Sequence, residues 1–115
     1  MNFVMIIGHL TRDAEMRLTS TGKTVTKLSV ATNERFGETE RAEYHTVIAW
    51  EKSAERVGAL KKGELVAVQG RLQTRKWEKD GVERKTTEIV ASSIDFLRAP
   101  RAAAEPEPID DTPIF

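Results

Sequence analysis

The chain has 115 residues, no net charge and no cysteine, which suits one domain with a modest core and excludes a disulfide framework, a thiolate metal site and a cysteine nucleophile. Residues 101–115 hold 1 of the 18 basic and 4 of the 18 acidic side chains, so residues 1–100 carry 17 basic against 14 acidic. A mildly basic body with an acidic tail is a supportive indication of nucleic-acid binding.

The first element is an apolar run from Met1 to Ile7, ended by Gly8 and His9. It lacks the basic lead and the small-residue cleavage site of a signal peptide, and no stretch approaches the length of a membrane span. We predict a first β-strand from Phe3 to Leu10, with Gly8 as a bulge or a point of close approach, in a cytoplasmic protein.

Period-two patterning dominates the next part of the chain. Residues 12–18 are weakly extended, and Ser20-Thr21-Gly22 turns the chain. Alternation predicts a second strand over residues 24–33 and a third over 44–50, with a charged loop at 34–43 between them.

Helical spacing of apolar residues follows between positions 53 and 62. Ser53 is the predicted N-cap and Gly63 the predicted C-terminal stop. After it, a fourth strand is predicted over residues 65–77.

A hairpin ends the predicted domain. Asp80-Gly81 is a strong turn signal between the fourth strand and a fifth over residues 85–96. Three strands, a helix and a two-stranded hairpin form the element order of the OB-fold, an all-β five-stranded barrel with one helix between strands 3 and 4. All four prolines lie in the last 16 residues, so we predict a domain over 1–98 and a disordered acidic tail over 99–115.

Aromatic side chains supply the first functional indication. Four lie among polar or basic neighbours: Phe36, Tyr44, Trp50 and Trp77. Tyr44 and Trp50 are six residues apart in one strand and therefore share a face. We predict a platform on which bases stack, and the alternative is a core face filled with rings. Phe3 and Phe96 lie in apolar strands and are predicted in the core.

The segment from Arg71 to Trp77 ends a basic strand with a tryptophan, just before a hairpin turn. A ring stacks on any nucleobase while neighbouring cations neutralise phosphates. The alternative is that Trp77 anchors the hairpin or fills a corner of the core. The predicted phosphate-binding cations are Arg41, Lys52, Lys62, Arg71, Arg75 and Lys76.

Taken in order, these segments resemble the bacterial single-stranded DNA-binding protein family over essentially the whole chain. The matching stretches are residues 4–17, 29–33, 43–47, 62–63, 70–77, 86–90 and 110–115. The resemblance implies an OB-fold subunit of a homotetramer that binds single-stranded DNA without sequence preference in replication, recombination and repair. It also implies a cytoplasmic, nucleoid-associated protein.

The resemblance also implies roles for single residues. The family's stacking positions fall on the four aromatic residues above, with Phe36 and Tyr44 where tryptophan is usual and Trp50 where phenylalanine is usual. His45 matches a position near the family's subunit interface, and a plain buried histidine is the alternative. The tip resembles the family's acidic, phenylalanine-ended peptide for replication and repair proteins, formed here by Asp110, Asp111, Pro113, Ile114 and Phe115. The order Pro113-Ile114-Phe115 departs from the usual isoleucine, proline, phenylalanine.

Three other functions compete with this interpretation. His9 and His45 lie in different strands, the carboxylates are scattered and no glycine-rich phosphate loop is present, so no enzyme, metal site or cofactor is predicted. A primosomal or adaptor OB protein that acts mainly through protein contacts is a second reading, although such relatives typically lack the acidic tip. RNA binding is a third, because stacking barely distinguishes RNA from DNA.

Overall fold

Six strands and one helix make up residues 1–98, the part of the chain that the structure, a computed structural model, describes. The elements are β1 (Val4–Leu10), β2 (Glu15–Leu18), β3 (Thr24–Phe36), β4 (Thr39–Trp50), α1 (Glu51–Val57), β5 (Leu65–Lys79) and β6 (Val82–Arg98). The predicted tail over 99–115, including its tip, lies outside the described residues. No helix within residues 1–98 is long and apolar enough to cross a membrane.

Five of the strands close into a barrel in the order β1, β5, β6, β4 and β3, and β3 pairs back with β1 at His9 and Leu10. The contact between β4 and β6 is parallel, at Val47 with Ile89 and Ile48 with Val90, and the other pairings are antiparallel. The short β2 adds to the outer edge of β3. The predicted five-stranded barrel with its helix between the third and fourth barrel strands is therefore confirmed.

The core is made by every second residue of the barrel strands, because alternate side chains of a strand point to opposite faces. The buried apolar residues of these strands are Leu10, Leu28, Val30, Val47, Ala49, Val66, Val68, Ile89 and Ile94. Helix α1 covers one end with Ala54 and Val57, and the buried Thr26 hydroxyl donates to the carbonyl of Ala54 at 2.8 Å.

Two glycines sit where strands approach each other most closely. A Cβ on Gly8 would overlap the carbonyl oxygen of Ala31 in β3, and one on Gly70 would overlap that of Val90 in β6. The predicted close approach at Gly8 is thus confirmed, and Gly8 pairs with Val66 in a regular ladder rather than at a bulge.

The charged loop predicted over residues 34–43 is wrong. β3 and β4 continue through this segment as a hairpin, in which Phe36 pairs with Thr39 around Gly37 and Glu38. Gly37 has a φ of 64°, a left-handed conformation that favours glycine. Both faces of this arm are exposed, so its sequence carries no apolar alternation from which a strand could be predicted.

The predicted helix bounds are also wrong. α1 begins at Glu51, directly after Trp50, and ends at Val57 with Gly58 as its C-cap. Ser53 is therefore inside the helix, and Gly63 belongs to the turn before β5. Glu51 has a φ of 50°, so an abrupt backbone turn starts the helix without a side-chain cap. The usual signal for a helix start, a Ser, Thr, Asp or Asn at the N-cap, is absent here, so this start could not be predicted from it.

Two aromatic residues predicted in the core lie outside it. Phe3 is 60% exposed and Phe96 is 54% exposed. Phe3 precedes β1, and Phe96 follows the last buried residue of β6, Ile94. Phe3 has the same parity as Met5 and Ile7, which are also exposed. Phe96 is exposed although its partner in the ladder, Val66, is buried.

Candidate nucleic-acid interface

The β5–β6 hairpin extends beyond the barrel as an arm with exposed residues from Arg71 to Val82. The turn predicted at Asp80-Gly81 is confirmed, with φ values of 55° and 79°. Asn2 ties the chain start to the base of the arm: its side-chain amide donates to the carbonyl of Leu72 at 2.9 Å and accepts from the amide of Leu72 at 2.8 Å.

The alternation of β5 divides the predicted cations between the two faces of this arm. Arg71, Arg75 and Trp77 are separated by even numbers of residues and share one face. Lys76 lies on the other face, directly opposite Lys85 of β6. The face with Trp77 is called here the ring face of the arm, and it combines an aromatic ring with two guanidinium groups.

Trp77 is fixed by one edge of its ring. Its indole Nε1 donates to the hydroxyl of Thr86 at 2.7 Å across the hairpin, while 38% of the residue stays exposed. Trp77 therefore does not fill a corner of the core, whereas its hydrogen bond across the hairpin fits both a hairpin anchor and an exposed stacking ring. The indole is oriented in advance, so less conformational entropy is lost when a flat ligand stacks on it.

Arg75 is held on the ring face by Glu88. Its Nε and one terminal nitrogen donate to the two carboxylate oxygens at 3.2 and 2.8 Å, a bidentate pair. The hydrogen bond to Glu88, and then its charge, raise the pKa of the Arg75 guanidinium. Arg75 is therefore always charged, but much of its charge is already balanced.

Trp50 lies at the end of β4 and is 42% exposed. It lines a cavity of about 270 Å³ together with Gln73, Arg75, Glu88 and three aliphatic side chains. Gln73 and Arg75 line this cavity and also lie on the ring face. The cavity therefore joins the last residue of β4 to the base of the ring face. Two predicted site residues from distant parts of the chain, Trp50 and Arg75, are thus brought together.

Phe36 and Tyr44 are both exposed, but they leave opposite faces of the β3–β4 hairpin. Phe36 pairs with Thr39 and Tyr44 with Ala31, and positions 39 and 44 have opposite parity in β4. Tyr44 shares its face with Trp50, as predicted. Phe36 instead lines a cavity of about 550 Å³ next to β1, together with His45 and Met5.

The remaining predicted cations are spread over the surface. Arg41 forms an ion pair with Glu43 at 3.5 Å in the β3–β4 hairpin. Lys52 is exposed on α1, and Lys62 lies in the turn before β5, where its backbone amide donates to Asp13 at 2.9 Å. Lys62 is far from Arg71, because the part of β5 between Leu65 and Arg71 is itself about 20 Å long.

Sequence reasoning overlooked the two residues that orient the ring face, Thr86 and Glu88. A signal for them existed: the two-residue turn at Asp80-Gly81 fixes the register, which pairs Arg75 with Thr86 and Gln73 with Glu88. Side chains at opposite or diagonal positions on one face of a hairpin are close enough to interact.

Metal chemistry has no support in the described part of the chain. No group of three or more histidine or carboxylate side chains within residues 1–98 is arranged to hold a metal ion. The site consists of aromatic rings, cations, hydroxyl groups, the Gln73 amide and the Glu88 carboxylate that pairs with Arg75.

Comparison with known proteins places this arrangement in context. The pattern of the single-strand binding protein family matches residues 1–97. Single-stranded DNA-binding protein 1 of Chlorobaculum tepidum is 42% identical over 107 residues, which cover 86% of this chain and 66% of that protein. Single-stranded DNA-binding protein 2 of Streptococcus agalactiae is 44% identical over 111 residues, which cover 90% and 84%.

Solved structures agree with the sequence relatives. The Plasmodium falciparum SSB in complex with ssDNA matches with a TM-score of 0.77 and 28% identity, over 84% of this chain and 95% of that one. A deletion mutant of the single-stranded DNA binding protein from Thermus aquaticus matches with a TM-score of 0.74 and 38% identity, over 85% and 51%.

Proposed function

Since this chain belongs to the single-strand binding protein family, we propose that it binds and protects single-stranded DNA without reading its sequence. The observation that carries the proposal is the ring face of the arm. There Trp77, whose ring is oriented by its hydrogen bond to Thr86, lies beside Arg71 and Arg75. That face continues into the cavity beside Trp50.

Binding needs two physical contributions. Bases stack on the exposed rings of Trp50, Trp77, Tyr44 and Phe36, at about 1–3 kcal/mol per base. Cations neutralise the phosphates between them and release counterions. Duplex DNA is disfavoured because its bases are already stacked on each other and present no free faces.

The cations contribute unequally. Within residues 1–98, the Arg71 side chain donates to the neutral amide of Gln73 at 3.1 Å and forms no ion pair, so its full charge is available for a phosphate. Lys76, Lys52 and Lys62 extend the positive surface beyond the ring face, as does Arg41 in the other hairpin. A strand that follows all of them has to wrap around the barrel.

A homo-oligomer, of which a tetramer is the family's usual form, is the second part of the proposal. Within residues 1–98, β1 pairs with β3 at His9 and Leu10 alone, which leaves the β3-facing edge of residues 4–8 open. Exposed Phe3, Met5 and Ile7 lie along this strand. An open strand edge with apolar side chains is a natural surface for a second copy.

His45 supports the same surface. It is partly buried, a hydrogen bond of 3.0 Å joins its Nε2 to the Thr32 hydroxyl, and it lines the 550 Å³ cavity beside Met5 and Ile6 of β1. We assign His45 to the region between copies rather than to the barrel core.

Recruitment of other proteins is the third part. The acidic tip supplies negative charge from Asp110 and Asp111, and apolar contacts from Ile114 and Phe115. Such a peptide suits a basic pocket with an apolar hollow on a replication or repair protein.

The test is intrinsic fluorescence of Trp50 and Trp77, the chain's two tryptophans, during titration with poly-dT, with duplex DNA in parallel and at low and high salt. Strong quenching by the single strand and little by the duplex is the expected result. An unchanged signal would contradict the proposal and favour an adaptor that acts through protein contacts. A matched RNA oligomer distinguishes DNA binding from RNA binding.

A further inference from the structure

A second cavity, of about 410 Å³, adjoins Trp50 on the side of the β2–β3 turn. Its walls are Thr19, Thr21, Lys23, Trp50 and Glu51, of which only Trp50 belongs to the proposed interface. Trp50 therefore lines two cavities, one toward Arg75 and one toward Lys23. A strand that leaves the ring face over Trp50 continues directly into the second cavity.

The turn that forms one wall is held together by four internal hydrogen bonds. The Thr19 amide donates to the carbonyl of Lys23 at 2.8 Å, and the Gly22 amide donates to the carbonyl of Thr19 at 2.9 Å. The Thr19 hydroxyl accepts from the amide of Lys23 at 3.1 Å and is hydrogen-bonded to the Thr21 hydroxyl at 3.1 Å. The Lys23 side chain thus projects from a hydrogen-bonded turn. Little conformational entropy of the loop is therefore lost when a ligand binds there.

The positive charge of Lys23 in this cavity is not neutralised by an ion pair within residues 1–98. Lys23 is also exposed. Glu51 also lines the cavity, in the left-handed turn that follows Trp50. A carboxylate beside a stacking ring repels phosphate, but it accepts hydrogen bonds from the amino group of cytosine, which thymine lacks.

We infer that the cavity between the β2–β3 turn and Trp50 is a further nucleotide subsite, in which Lys23 holds a phosphate and Glu51 accepts a hydrogen bond from the amino group of a cytosine stacked on Trp50. This inference rests on the proposed function and adds to it. Overall binding stays independent of sequence, while one position along the strand favours cytosine over thymine.

The test uses the full chain with Trp77→Phe, which retains a ring and leaves Trp50 as the only tryptophan. Affinity for oligo-dT and oligo-dC of equal length is measured from Trp50 quenching at several salt concentrations. Lys23→Gln is compared with Lys61→Gln, an exposed lysine whose ion pair with Asp13 is long, at 3.9 Å. Glu51→Ala, which removes the proposed acceptor, is compared with Glu55→Ala at an exposed carboxylate on α1.

Lys23→Gln is expected to lower the slope of log affinity against log salt by about 0.7, the value for one phosphate contact with a single strand. Glu51→Ala is expected to lower the ratio of dC to dT affinity about fivefold, the value of one hydrogen bond. The two control variants leave slope and ratio at the parent's values.

An unchanged slope in Lys23→Gln, or an unchanged ratio in Glu51→Ala, overturns the subsite, while binding of the unsubstituted chain to single strands still supports the proposed function. The unsubstituted chain is titrated in parallel, and if it binds neither oligomer, both the subsite and the proposed function are overturned.

Discussion

Arg75 and Glu88 form a bidentate ion pair across the β5–β6 hairpin in which the two partners differ in exposure: the arginine side chain is 54% exposed, whereas the carboxylate is 6% exposed. The pair therefore has a solvated member and a buried member. Removal of Arg75 leaves an unpaired carboxylate in a buried site, whereas removal of Glu88 leaves an unpaired guanidinium in solvent. The two deletions are therefore expected to cost unequal amounts of folding free energy.

Arg75→Ala is expected to destabilise the protein more than Glu88→Gln does. The first leaves a buried carboxylate without its partner, at a cost of about 1–2 kcal/mol after allowance for solvent screening. The second leaves an exposed guanidinium that water solvates, at a cost below about 1 kcal/mol. Urea unfolding of both variants measures the difference. Equal costs, or the reverse order, would show that burial of Glu88 does not control the pair.

Arg71→Gln is expected to weaken single-strand binding more than Arg75→Gln does, because Glu88 already balances the charge of Arg75. Loss of one full phosphate contact lowers the salt slope by about 0.7. Titration with oligo-dT over a range of salt concentrations gives the slopes. Equal slopes in the two variants would mean that Arg75 exchanges Glu88 for phosphate when DNA binds.

Trp77→Ala is expected to reduce affinity for oligo-dT by about 10- to 100-fold, the equivalent of one lost stacking base. Trp77→Phe retains a ring but loses the hydrogen bond to Thr86, so its effect should be several-fold smaller. Fluorescence anisotropy of a labelled oligomer measures both, with circular dichroism to verify the fold. A similar loss in both variants would assign the contribution to ring orientation rather than to stacking area.

Gly70→Ala is expected to destabilise the barrel by about 1–3 kcal/mol, because the new methyl group meets the backbone of β6, which has no room to move. Gly58→Ala is the matched control. There the methyl group meets the side chain of the exposed Met16, which is free to rotate. Thermal unfolding compares the two variants, and a Gly70→Ala midpoint equal to that of the control would disprove the tight approach.

Met5→Glu is expected to reduce the size of the assembly, because it places charge on the open edge of β1 proposed as the contact between copies. Leu18→Glu introduces the same charge at an exposed leucine on β2 and should leave the assembly unchanged. Sedimentation velocity reports the mass of each variant. If both sediment like the parent, the contact lies elsewhere.

Sequence patterns sufficed for the barrel because its strands have one buried face, so alternation marks them, and because Asp80-Gly81 specifies its turn. They failed at the β3–β4 arm, which is exposed on both faces. Without the pairing of Phe36 with Thr39, the side of that arm on which Phe36 lies could not be deduced. The rings were identified by their polar surroundings, whereas Glu88 required the register of the hairpin.

The pairing of Val4 with Gly70 and of Val47 with Ile89 has a consequence for how the chain folds. Each pair joins segments far apart in sequence, and such topologies fold in about milliseconds to seconds, more slowly than helical bundles. During synthesis on the ribosome, β4, which carries Val47, cannot pair with β6 until residue 89 has emerged. The barrel therefore stays open until then, and its apolar interior is incompletely covered. Until then, an apolar surface is exposed to other nascent chains, so early protection by a chaperone would raise the yield of folded protein.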